Sequence, residues 1–115
     1  MNDRELLEHA AKACGQSYLE WVPECYPGRE GLLHGNQNGR LYVWNPLLDD
    51  GEALRLRAKL HLTIMDNGKR IGVACCHHIR IGIEEFIVDD PCATTRRAIV
   101  RAAAEIGKSM PKEGE

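Results

Sequence analysis

Apolar and polar positions follow two different periods along this chain, and the places where the period changes mark out its elements. Leu6, Leu7, Ala10, Ala11 and Cys14 recur at helical spacing and make one apolar face. The helix this predicts covers residues 3–14. Asn2 stands at its cap, Glu5 completes a capping box three residues later, and Gly15 is the natural stop. Ser17 to Val22 alternates loosely, as a short strand does, before Pro23, Pro27 and Gly28 impose a loop. Leu32 and Leu33 lead to His34-Gly35 and then to Asn36-Gln37-Asn38-Gly39. Asn-Gly is a hairpin turn signal because both residues tolerate positive φ. The strand beyond it runs Arg40-Leu41-Tyr42-Val43-Trp44, with Leu41 and Val43 on one face and Tyr42 and Trp44 on the other.

The middle of the chain sets two rules against each other. Leu54 to Ile64 alternates strictly, which argues strand. Yet Asn45-Pro46 opens a turn, Asp49-Asp50 supplies capping carboxylates, and Ala, Leu, Arg and Lys are good helix formers. An eleven-residue strand would also exceed the usual five or six or so. The expectation is a helix over 51–60 and a strand from Leu62. Asp66-Asn67-Gly68 is a second turn. Beyond it Ile71, Val73, Cys75, His77, Ile79, Ile81 and Ile83 all fall on odd positions. This predicts one strand from Arg70 to His78 and a further one through Ile83 to Val88. Asp90 caps a last helix with Pro91 at its first turn. Its core face is Ile99, Ala102, Ala103 and Ile106, and Gly107 is expected to end it. The pattern predicts an α+β protein, a single-domain α/β/α sandwich with a mostly antiparallel sheet over residues 1–108, and a flexible C-terminal tail over 109–115. Two layers are the fallback.

Composition narrows the functional classes. At 115 residues the chain has the size of one domain and can bury its own core without a metal or disulfide. With 43% apolar and 28% charged residues it has the balance of an ordinary globular protein, and few aromatics, so Leu, Ile, Val and Ala must fill the core. The net charge of −2 does not point to a polyanionic or membrane partner. Residues 1–50 carry −4 and residues 51–115 carry +2, a mild dipole. No apolar run is long enough to cross a bilayer, and the opening MNDRELLEH is polar, so a cytoplasmic protein is expected. The five cysteines, an odd number, are then expected to be reduced thiols.

Three segments carry a family resemblance: NDRELLEHAAKA, WNPLLDDGEALRLRAKL and DDPCATTRRAIVRAAAEIG. Through Asn45, Pro46, Asp49, Asp50, Arg96 and Arg97 the chain resembles the small phage and prophage proteins grouped as the phage ABA sandwich domain. The matching residues are turn openers, caps and a helix face. The resemblance implies α/β/α layering and a phage or prophage origin, hence the cytoplasm of a host bacterial cell. It implies no activity.

The chemically loud string is Cys75-Cys76-His77-His78, whose thiolates and imidazoles are zinc ligands. His9, His34, His61, Cys14 or Cys25 could complete a set. Within one strand, however, neighbours point to opposite faces, so that Cys75/His77 or Cys76/His78 alone could share a metal. Cys75 also sits in the apolar register of a core residue. A cysteine nucleophile with a histidine base would need an activated, exposed thiolate, which nothing marks. The paired carboxylates Asp49-Asp50 and Asp89-Asp90 stand before helices and read as caps, and Glu84-Glu85 as a solvated turn or charged edge. Arg55, Arg57, Lys59, Arg96, Arg97 and Arg101 could make a basic surface, but no stacking-aromatic or helix-turn-helix motif accompanies them. The glycines form no phosphate loop. The sequence therefore predicts an accessory protein that binds a host or phage protein, with no catalytic residue, cofactor or assigned metal. Trp21, Tyr26, Tyr42 and Trp44 are its candidate interface anchors, conditional on their exposure. The alternatives are a metal or thiol protein centred on Cys75 to His78, and nucleic-acid binding, which is disfavoured. An exposed sheet edge would also permit a homodimer.

Overall fold

Asn2 opens the first helix, its side-chain oxygen accepting the Glu5 amide at 2.8 Å. The computed structural model describes residues 1–18, 20–23, 30–35, 41–75 and 78–110. Helix α1 (Asp3–Ala13) buries Leu6, Leu7, Ala10 and Ala11, the face that the spacing predicts. Gly15, at φ 77°, lets the chain turn so that Gln16 N–H reaches the Ala11 carbonyl at 2.9 Å and Gly15 N–H the Lys12 carbonyl at 3.2 Å. This paired 6→1 and 5→2 closure satisfies carbonyls that the helix end would otherwise orphan.

Strands β1 (Glu20–Val22), β2 (Gly31–Gly35) and β3 (Leu41–Trp44) form one antiparallel sheet in the order β1-β2-β3. The first strand is shorter than its alternation suggests: Ser17 and Tyr18 stand outside it, and the Ser17 carbonyl meets the His34 ring instead. The proposed Asn-Gly turn at residues 36–39, and Pro27 and Gly28, lie outside the described residues.

Helix α2 (Asp50–Leu60) resolves the conflict between alternation and capping in favour of the caps. Asp49 accepts the Glu52 amide at 2.9 Å, and Ala53 and Leu56 go into the core. Leu54, 61% exposed, is what the helix leaves in water. His61, in the left-handed conformation at φ 54°, ends the helix and turns the chain into β4 (Leu62–Asp66). Asp66 and Asn67 tie the following turn by accepting the amides of Gly68, Lys69 and Arg70.

Strand β5 (Arg70–Cys75) stops three residues earlier than expected, and β6 (His78–Phe86) begins almost at once. The order β4-β5-β6 makes a second antiparallel sheet. The reversal is invisible in the sequence because Val73 pairs with Ile83 and Ile71 with Glu85. Odd residues over Ile71–Val73 and Ile83–Glu85 therefore share one face, and the odd-numbered apolar series of the sequence gives no sign of the reversal. A register shift at Ala74/Cys75 absorbs the tight connection and sets Cys75 opposite His78.

Helix α3 (Pro91–Ser109) starts on Asp90, which accepts the Cys92 amide at 2.9 Å, and carries Pro91 where the expectation has it. Gly107 does not end it. A Cβ there would overlap the His9 carbonyl, so this glycine is what lets α1 and α3 touch. The helix runs to Ser109, whose hydroxyl donates to the Ile106 carbonyl, and Lys12 donates to the Met110 carbonyl at 3.0 Å. The first residues of the expected tail are thus part of the domain, and 111–115 lie outside the described residues.

Alanines make the close packing general. Ala98, Ala102, Ala103 and Ala104 of α3 are fully buried, as are Ala10 and Ala11 of α1. Helix α3 packs along α1, against α2 and onto β5 and β6, while α1 reaches β2. The chain is one α+β domain with antiparallel pairing throughout its described strands, and those strands divide between two three-stranded sheets. No helix among the described residues is long and apolar enough to cross a membrane.

Candidate functional site

The sheet β1-β2-β3 has two faces with different surroundings, because register puts Leu32 opposite Trp44 and His34 opposite Tyr42 on one side, and Leu33 opposite Val43 and Gly35 opposite Leu41 on the other. The first side faces the core. His34 is fully buried there, stacked on Tyr42 at 5.7 Å between centroids and edge-on to Trp44 at 5.6 Å. Its Nδ1 lies 2.6 Å from the Ser17 carbonyl. A carbonyl only accepts, so this geometry assigns the proton to Nδ1 and leaves Nε2 a lone pair. That atom is buried and has no hydrogen-bond partner among the described residues. Burial lowers the His34 pKa below the usual imidazole range, partly opposed by the Ser17 hydrogen bond and by Glu52.

Beside this aromatic cluster is a small cavity of about 150 Å³ lined by Cys14, Gln16, Tyr42, Trp44, Glu52, Arg55, Leu56 and Lys59. Its chemistry is muted. The Cys14 thiol donates to the Ala11 carbonyl at 3.5 Å, and burial raises its pKa, the opposite of what an attacking thiolate needs. Glu52 is held by Arg55 at 2.7 Å.

The outer side is open. Leu33, Leu41, Tyr42, Val43, Asn45, Leu48, Glu30 and Asp49 line a groove of about 680 Å³, within the size range of ligand and peptide sites. Leu41 is 60% exposed, Val43 38% and Leu48 44%. The groove wall is rigid for a local reason. Asn45 donates from Nδ2 to the Glu30 carbonyl at 2.8 Å and accepts the Leu47 amide on Oδ1 at 3.0 Å, tying the exit of β3 to the entry of β2. Gly31 permits that closeness, since a Cβ there would sit 2.6 Å from the Trp44 carbonyl oxygen. Beyond Asn45, Arg96 donates to the Leu47 carbonyl at 2.8 Å and pairs with Asp50 at 2.6 Å, fastening the turn to α3.

The residues singled out from sequence separate on this frame. Trp44, 2% exposed, is a core residue and cannot serve as an exposed anchor. Tyr42 lines both the cavity and the groove, and Trp21 is half-buried with the Arg4 guanidinium 6.0 Å from its ring centroid. Tyr26 lies outside the described residues. Cys75 is buried, donating to the Leu60 carbonyl at 3.4 Å. It does not share one strand with His78, since β5 ends at Cys75 and His78 begins the antiparallel β6. Cys76 and His77 lie outside the described residues. Among the described residues no group of three or more His, Cys, Asp or Glu is placed to hold a metal ion.

Four of the six basic residues singled out from sequence have acidic partners. Arg55 pairs with Glu52, Arg96 with Asp50, Arg97 with Asp3 and Arg101 with Glu85. Asp49 and Asp90 are caps, as their positions suggest, and Glu84 and Glu85 sit on an edge strand with Arg70 and Arg101 as partners. What the sequence reading missed as a site is the apolar set Leu33, Leu41, Val43 and Leu48 with Glu30. A signal was present in Leu41-Tyr42-Val43-Trp44, a strand apolar on both faces in a domain too small to bury both. Compared with protein-family models, curated proteins and solved structures, the chain matches none.

Proposed function

We propose that this chain is a small accessory protein of the phage ABA sandwich kind, acting by binding another protein rather than by catalysis. The resemblance rests on Asn45, Pro46, Asp49, Asp50, Arg96 and Arg97, and the roles these residues hold here support it as a structural signature: Asn45 pins the turn, Pro46 is fully buried, Asp49 caps α2, Asp50 and Arg96 pair, and Arg97 meets Asp3. The observation that carries the binding reading is the groove on β3. Its three exposed large aliphatic side chains, Leu41, Val43 and Leu48, lie together over a rigid turn rather than scattered. Apolar area of this kind gains free energy by being covered, at about 25 cal/mol per Å².

The test is cross-linked capture of a partner from bacterial lysate by the wild-type chain, by Leu41→Ser and by Met65→Ser. Both substituted positions are exposed, so both variants are expected to fold. A stoichiometric partner retained by Met65→Ser and lost with Leu41→Ser is the expected result. Failure to recover any partner, or recovery indifferent to Leu41, overturns the proposal.

A further inference from the structure

We infer that the groove's occupant is an extended segment that adds as a strand beside β3 and carries lysine or arginine toward Glu30, an inference that rests on the binding role proposed for this groove. Three features of the site converge on that chemistry. The first is backbone. β3 is an edge of its sheet, so alternate N–H and C=O groups of Leu41–Trp44 point away from β2, and no strand among the described residues pairs with them. An added strand would satisfy those groups. The second is side-chain spacing. Leu41 and Val43 stand two residues apart on the same face, the repeat at which alternate residues of an added strand deliver apolar side chains.

The third feature is charge. The two ionisable acids of the groove are Glu30 and Asp49, and no basic residue lines it among the described residues. Asp49 is engaged as the cap of α2. The Oε2 atom of Glu30 is buried without a hydrogen-bond partner among the described residues. Arg55 and Arg96, the guanidinium groups on neighbouring elements, are committed to Glu52 and Asp50. A carboxylate oxygen taken out of water needs a donor, and a cation is the donor that also balances its charge. Covering the groove with a neutral strand would desolvate Glu30 further and leave it unanswered. An acidic strand would add like charge. A second copy of this chain, docking β3 on β3, would set its own Glu30 and Asp49 against this pair, so the self-complementary arrangement is disfavoured.

Synthetic peptides of roughly eight residues, the length of an ordinary strand, test this on the full chain by titration calorimetry at low salt. One carries valine, valine and lysine at alternate positions with serine between them, so that all three share the face of Leu41, Val43 and Glu30; a second has glutamate in place of the lysine, a third serine, and a fourth repeats the first with alternate amides N-methylated. The valine–lysine peptide is expected to bind about tenfold or more tighter than the glutamate and serine peptides. N-methylation, which removes the strand's donors, is expected to weaken it by a similar factor. Glu30→Gln is expected to erase the preference for lysine while leaving the apolar contribution. Equal binding of the lysine and serine peptides, tighter binding of the glutamate peptide, indifference to N-methylation, or no binding by any peptide each overturns the inference. If one of these occurs while capture of a partner still depends on Leu41, this inference alone falls. If capture ignores Leu41 as well, the binding role falls with it.

Discussion

Gly107 and His34 show how much a single position can decide in this protein. The glycine sits where α1 and α3 cross, and its missing Cβ is the space into which the His9 backbone fits. Gly107→Ala must either push the helices apart or distort one of them, and overpacking of this sort costs about 1–3 kcal/mol, sometimes more. The expected result is a fall of that size in unfolding free energy by urea titration, with the slope unchanged. His34 acts through a proton. Its folded-state pKa lies below the ordinary value, because burial disfavours the imidazolium. As pH falls below about 6.5 the unfolded chain takes up a proton that the folded chain resists. Stability is therefore full above that pH and declines below it, with a limiting slope of about 1.4 kcal/mol per pH unit for one such group. Denaturant midpoints measured from neutral pH downward should show this decline, and His34→Phe should flatten it.

At the scale of elements, caps settle what periodicity leaves open. Residues 54–64 alternate like a strand, yet Asp49 answers the Glu52 amide and the segment up to Leu60 is helix. Asp49→Ala is expected to cost about 1 kcal/mol, read as a lower thermal midpoint, and Asp49→Ser to restore most of it. Two local signals mislead for the same reason. The β5–β6 reversal is hidden because Ile71 and Val73 pair with odd-numbered residues of β6, and Gly107 reads as a stop because a glycine near a helix end is usually one. Each is a case in which a local signal has two meanings and the neighbour across the fold selects between them.

Across the whole molecule, Arg96 joins parts that the chain keeps far apart. Its side chain is 16% exposed and bonds the Leu47 carbonyl and Asp50 at once, so the turn behind β3 is fastened to α3. Arg96→Lys keeps the charge but gives up the planar fork, and is expected to lower stability by about 1 kcal/mol. Asp50 is mostly exposed, and its ion pair is screened by solvent. Asp50→Asn should therefore cost less than Arg96→Lys in the same denaturation assay. The comparison apportions the brace between its buried hydrogen bond and its exposed ion pair.

Local chemistry was enough to determine the three helices with their N-terminal caps, the helix at 51–60, the strand from Leu62 and the α+β class, since each depends on contacts within a few residues. The Leu41/Val43 face was likewise readable from the two-residue repeat of a strand. Which face is buried was decided by tertiary structure alone. Trp44 went inward with Leu32 and His34 because α1 and α2 lie on that side, and Leu41 and Val43 were left outside because no helix among the described residues covers the other. The pairing of the arginines, the division of the strands into two sheets and the buried Glu30 oxygen were decided in the same way. Each depends on residues distant in the chain, whose meeting is set by how the elements pack and not by their order.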